Sequence, residues 1–147
     1  MVAPGRGCFV RKARRPVSVL TAGQVRVNRF IQPLAEGLNL VAEPCPLDQS
    51  PASRELLISN GFSGSPDPSL ADQIMVWSGN SDPQTTGFVS YFLLDLGVGT
   101  GLRYWTVQGS AALTNEDHTV LFRSNRATFI RSNAPRSEYQ IPALQYP

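Results

Sequence analysis

The chain is short of charge, of lysine, of histidine and of cysteine, and each shortage removes a class of function. One histidine, His118, and two cysteines, Cys8 and Cys45, stand among 147 residues. That is too little for an ordinary zinc site, and no Cys-x-x-Cys pair suggests redox chemistry. The two cysteines allow one disulfide without showing it. No run of 18 apolar residues exists, so no helix is expected to cross a membrane. The opening Met-Val-Ala-Pro-Gly-Arg-Gly-Cys-Phe-Val lacks the long apolar core of a signal peptide. No Gly-x-Ser-x-Gly elbow is present.

What remains for catalysis is thin. His118 sits beside Asp117 in a polar stretch, where a solvated loop explains it more simply than an acid–base role. Gly97-Val-Gly-Thr-Gly resembles a piece of a phosphate loop, but it lacks the Lys-Ser/Thr ending and no helical pattern follows. It reads as a turn. Asp67, Asp72, Asp82, Glu116 and Asp117 supply oxygens but not the alternating spacing of a calcium loop, and Asx-turns account for Asp67-Pro68 and Asp82-Pro83. Nothing singles out a carboxylate pair of the kind that cleaves glycosidic bonds. The expectation is a protein that is not an enzyme and carries neither cofactor nor metal.

Turn residues are abundant, with 12 Gly and 12 Pro. Between them lie short β-branched or alternating runs: 7–11, Val17–Thr21, Val25–Gln32, Leu38–Ala42, Gln73–Trp77, Phe88–Leu96, Arg103–Gln108, Thr119–Arg123 and Ala127–Ser132. Phe88–Leu96 is the most apolar and is expected at the centre. Ser50-Pro51 has the residues of a helix start, and Asn60-Gly61 those of a stop, so one short helix is expected over 52–58. Strands every 8–12 residues with turns between them predict an all-β antiparallel sandwich or barrel-like domain.

Charge is unevenly placed. Residues 1–35 carry seven basic groups and no acidic one, whereas 36–117 carry ten acidic groups against Arg54 and Arg103. The basic end has Phe9 but no interleaved stacking aromatics, so nucleic acid is not an expected partner. Solvated loops explain the asymmetry, and so do complementary faces of an assembly. Gly7-Cys-Phe-Val-Arg-Lys and Ala127-Thr-Phe-Ile-Arg-Ser align without gaps, as an internal repeat would.

Several features then fall together: Gly37-Leu-Asn-Leu-Val, Pro44-x-Pro-x-Asp-Gln-Ser, Ala71-Asp-Gln-Ile-x-Val-Trp, Tyr91-Phe92, Tyr104-Trp105 and the final Phe-Ile-Arg strand. Over residues 2–140 they resemble an uncharacterised family of secreted, repeat-containing bacterial proteins from Verrucomicrobia, whose members usually carry two copies of this unit. Cys45 departs from the pattern, standing where an aromatic is usual between the two prolines. The resemblance implies a β-rich exported protein and brings no activity or functional residue with it. It also makes residues 1–16 look like the end strand of a preceding unit, followed by a β-rich domain over 17–147.

Such a strand can pair within its own unit as an edge or complete a neighbour's sheet by strand donation. A basic arm and an acidic body fit the second. The expected function is therefore an extracellular or cell-surface structural protein that self-associates into a filament or layer. Cys8, Phe9, Val10, Arg11, Val17 and Val19 would form the assembly strand, and Cys8 and Cys45 would staple it within or between chains. The alternative is a carbohydrate-binding module that stacks glycan on Trp77, Tyr104 or Trp105; a fragment of a longer surface protein is a third reading. For the aromatics, packing in the core or an interface is the simpler account.

Overall fold

The computed structural model describes residues 28–43, 46–79, 87–124 and 126–143. The strands are β1 (Phe30–Ile31), β2 (Gly37–Ala42), β3 (Gln73–Trp77), β4 (Phe88–Asp95), β5 (Arg103–Val107), β6 (Ala127–Ser132) and β7 (Gln140–Ile141). Five form one antiparallel sheet in the order β2-β6-β3-β4-β5, and β1 and β7 form a separate two-stranded ribbon. The fold is all-β, and among the described residues the sheet does not close into a barrel.

The strands form where the sequence alternates. In β3, Ile74 and Val76 face the main core while Gln73, Met75 and Trp77 face the other way. The β4–β5 hairpin reverses at Gly97, whose φ of +88° suits only glycine without strain. Its backbone N–H donates to Asp95 Oδ1 at 2.8 Å, so the last residue of β4 fixes the turn.

The core lies on one face of the large sheet. Val41, Ile74, Leu93, Trp105 and Ile130 rise from it, one from each strand. Leu34, Leu56, Phe62, Leu121, Phe122, Tyr139 and Ile141 cover them from the connecting segments and the ribbon. The indole of Trp105 is fully buried and its N–H donates to the Leu56 carbonyl at 2.7 Å, which satisfies the one polar atom that burial would otherwise strand. A smaller cluster of Ala71, Phe92 and Leu94, with Tyr104 against it, sits on the opposite face.

The structure corrects four expectations. The segment after Ser50 is not a helix. Ser50 does cap it, accepting from the Ser53 N–H, and Arg54 N–H bonds back to the Ser50 carbonyl. Glu55, however, takes φ +55°, a left-handed conformation that ends the turn at once. Only a 3₁₀ turn at Ile58–Asn60 follows, closed by Gly61. The central strand is β3, not the more apolar β4. Thr119–Arg123 contributes a single bridge, Phe122 to Gln49, because consecutive Leu121 and Phe122 are both buried in the cover rather than alternating across a sheet. Residues 140–141, which lie beyond the last expected strand at Ala127–Ser132, also form a strand. The expected strands at 7–11 and 17–21, the repeat partner of β6 and both cysteines lie outside the described residues.

Candidate functional site

Two constellations of side chains stand out, one inside the molecule and one on its surface. The internal one centres on Arg54. Its guanidinium donates to Glu43 Oε2 at 3.0 Å and to Gln32 Oε1 at 3.1 Å, and it lies 4.3 Å over the Phe122 ring. The side chains of Arg54 and Glu43 are both wholly buried. Tyr139 donates its hydroxyl to the Arg54 carbonyl at 3.0 Å, and burial raises the Tyr139 pKa. The early end of the 51–55 turn delivers Arg54 into the core, which is what the missing helix makes room for. No substrate can reach this pair, so its chemistry is structural: it ties Gln32, Glu43, the 51–55 turn and Tyr139 together.

A second tie uses Arg136. It donates to the Gly61 carbonyl and to Asp72 Oδ2, and it lies 4.6 Å over Phe62. Asp72 also accepts the backbone N–H groups of Ser63 and Asn133 at 2.8 and 2.7 Å. This fixes the 62–72 loop to the start of β3.

The surface constellation is the outer face of the sheet. Trp77 and Phe88 are cross-strand partners on β3 and β4, 43% and 46% exposed. Their ring centroids are 5.2 Å apart at 68°, and Phe88 meets Phe129 of β6 at 5.5 Å and 67°. With Leu40 of β2 and Ala127 they line an apolar groove. Leu38, 57% exposed, lies on the same face of β2 as Leu40. The Arg126 side chain lines the groove and has no ion-pair or hydrogen-bond partner among the described residues. Scattered apolar side chains on a surface need no explanation, but a contiguous aromatic patch does.

The two edges of the sheet differ. Beyond β5, the Trp105 N–H donates to Asp117 Oδ1 at 2.8 Å and the Trp105 carbonyl accepts the Glu116 N–H, also at 2.8 Å. A loop therefore occupies the middle of that edge. Thr119 and Thr114 hydroxyls hold the Glu116 carboxyl below its usual pKa, and Asn115 caps the Asp117 N–H, so the blocking loop is itself fixed. Beyond β2, no strand pairs among the described residues.

The residues expected to carry function fall as follows. Trp77 is exposed. Tyr104 is half-buried against Ala71, Phe92 and Leu94, and its hydroxyl donates to the Leu113 carbonyl. Trp105 is buried in the core and offers no face to a ligand, which corrects its expected stacking role. Trp77 and Phe88 are tilted rather than coplanar, so they form no flat platform. His118 is exposed on the turn after Asp117. Asp67 is exposed and Asp72 buried, well apart in role, while Asp82 lies outside the described residues. Among the described residues no group of three or more His, Cys, Asp or Glu side chains is arranged to hold a metal, and no helix is long and apolar enough to cross a membrane. The assembly-strand residues Cys8, Phe9, Val10, Arg11, Val17 and Val19, and Cys45, lie outside the described residues. Sequence reasoning missed Arg54, Glu43, Phe88 and Arg126. The alternation that places Trp77 outward could have found Phe88, its partner across a hairpin.

Comparison with known proteins finds no matching protein-family model, curated protein or solved structure.

Proposed function

We propose that this chain is a non-enzymatic structural protein of the cell exterior or cell surface, of the secreted Verrucomicrobia type its sequence resembles, and that it self-associates into a filament or layer. Residues 7–20 of one copy add as a strand to the sheet of the next. The observation that carries this reading is the difference between the two sheet edges. The β5 edge is occupied by Asp117 and Glu116, whereas β2 ends the sheet with no strand beyond it among the described residues. An edge left with unpaired backbone groups is a template for another strand. The apolar patch on the outer face beside β2 supports the same reading, as does the pairing of a basic arm with an acidic body.

Sedimentation of the full chain against a Val17→Pro, Val19→Pro double variant and a chain lacking residues 1–16 tests it. Proline removes the backbone donors a ladder needs. Both variants should remain monomeric at concentrations where the parent assembles. Normal assembly of either would rule out strand donation by this arm. Dispersal of the parent by reductant would assign Cys8 and Cys45 to the assembly.

The second reading is a monomeric carbohydrate-binding module, favoured by the exposed indole of Trp77. It predicts glycan binding without assembly, lost in Trp77→Ala.

A further inference from the structure

The 3₁₀ turn at Ile58–Asn60 ends on Gly61, which takes φ +87°. That left-handed conformation favours glycine. A Cβ there would also stand 3.3 Å from Arg136 Nη1. The residue before it is an asparagine, and no other asparagine in the chain precedes a glycine. Asparagine is thermolabile, because its side-chain amide lies within reach of the next backbone nitrogen. A glycine at the next position puts no Cβ in the way. The backbone requirement at position 61 thus places the most labile step of the sequence on an exposed corner.

We propose that Asn60 is a self-modification site, where the side-chain amide is lost to attack by the Gly61 nitrogen at a rate set by opening of the turn. The Gly61 nitrogen gives its proton to hydroxide and bonds to the Asn60 side-chain carbonyl carbon. The bond from that carbon to Nδ2 breaks, and Nδ2 takes a proton from water and leaves as ammonia. Water then opens the five-membered imide. Opening at the side-chain carbonyl leaves an aspartate. Opening at the main-chain carbonyl leaves an isoaspartate, with the chain running through the former side chain. The net change exchanges NH2 for OH, with no oxidation or reduction. This goes beyond the self-association reading and does not rest on it.

In the folded turn both reacting groups are engaged. Asn60 Nδ2 donates to the Glu55 carbonyl at 2.9 Å, and the Gly61 N–H donates to the Ile58 carbonyl at 2.9 Å. Both bonds must open before attack. The turn that holds them is weak. Its 3₁₀ geometry makes poorer bonds, its start has no side-chain cap, and none of its three residues is buried. Glu55, whose carbonyl holds Asn60, is itself at φ +55°. Local opening of such a segment costs less than global unfolding, so the reaction proceeds through it.

The product loosens what the turn holds. An aspartate has no N–H for the Glu55 carbonyl. An isoaspartate adds a methylene to the backbone before Gly61, whose carbonyl accepts from Arg136. Arg136 also holds Asp72, so the 62–72 loop loses one of its ties.

Peptide mapping of the full chain, aged in mildly alkaline buffer with and without unfolding urea, tests this. In urea, isoaspartate should form at position 60 ahead of every other asparagine, and Gly61→Ala should largely remove it there. In the folded chain it should form at the same position roughly five- to thirtyfold more slowly, the worth of one to two hydrogen bonds. No product at position 60 after about thirty times the conversion time in urea overturns the site. Equal rates folded and unfolded overturn the turn as its gate. Protease cutting within 62–72 should rise with isoaspartate content and stay level in an Asn60→Ser chain aged alongside. An equal rise in both chains overturns the link through Arg136.

Discussion

Replacing Glu43 by alanine leaves the Arg54 guanidinium buried without its carboxylate. An uncompensated buried charge costs about 3 to 5 kcal/mol, so Glu43→Ala should lower the urea-unfolding free energy by that amount. Replacing Glu43 and Arg54 together by methionines of similar length should cost far less, because no charge is then left alone. A double-variant loss equal to the sum of the Glu43→Met and Arg54→Met losses would show that the pair is not coupled. Tyr139 makes a pH-dependent contribution beside it. Burial raises its folded pKa above the ordinary 10.0. The neutral phenol is thus favoured by folding, so its stabilisation is complete below pH 10 and is lost as pH rises through the folded value. Tyr139→Phe should flatten that alkaline loss and cost about 1 kcal/mol at neutral pH through its missing bond to the Arg54 carbonyl. Neither Arg54 nor Glu43 has a local sequence signature. They are 11 residues apart and meet Gln32 and Phe122 from further still. Only the tertiary fold brings these partners together, which is why reading the chain residue by residue passed over them.

At the scale of elements, the blocked edge can be opened. Asp117→Ala removes the acceptor of the Trp105 N–H at the centre of β5. A charge-assisted bond of this kind should cost about 1.5 to 3 kcal/mol. The freed edge should also increase non-specific association, seen as light scattering at concentrations where the parent is clear. Loss of stability without added association would mean that another part of the loop does the blocking. The elements themselves were legible to different degrees. β2, β3, β4, β5 and β6 could be read because alternation or a continuous apolar run between turn residues has one simple structural meaning. The 50–58 segment misled because its cap chemistry is real, yet Glu55 takes a left-handed φ that no propensity announces. β1 and β7 are two residues each, too short for periodicity to register. For the surface, alternation gives the parity of Trp77 and Trp105 but not the sign. Which face is covered depends on segments such as 116–124 and 133–143 packing over one side only.

At the scale of the molecule, several carboxyls act together in acid. The Gly97 N–H holds Asp95 below its ordinary pKa of 3.8, the Ser69 N–H does the same for Asp67, and the Thr119 and Thr114 hydroxyls hold Glu116 below 4.5. Each binds a proton less readily when folded than when unfolded. Their stabilisation is therefore present above the ordinary values and is lost as pH falls below about 4.5 through the folded ones. Urea midpoints should fall through that range, less so in Glu116→Gln.

The most direct test of self-association is electron microscopy of the purified full chain alongside sedimentation across a concentration series. Ordered filaments or layers, with mass rising as concentration rises, are predicted. Uniform single-chain particles at every concentration would contradict the account.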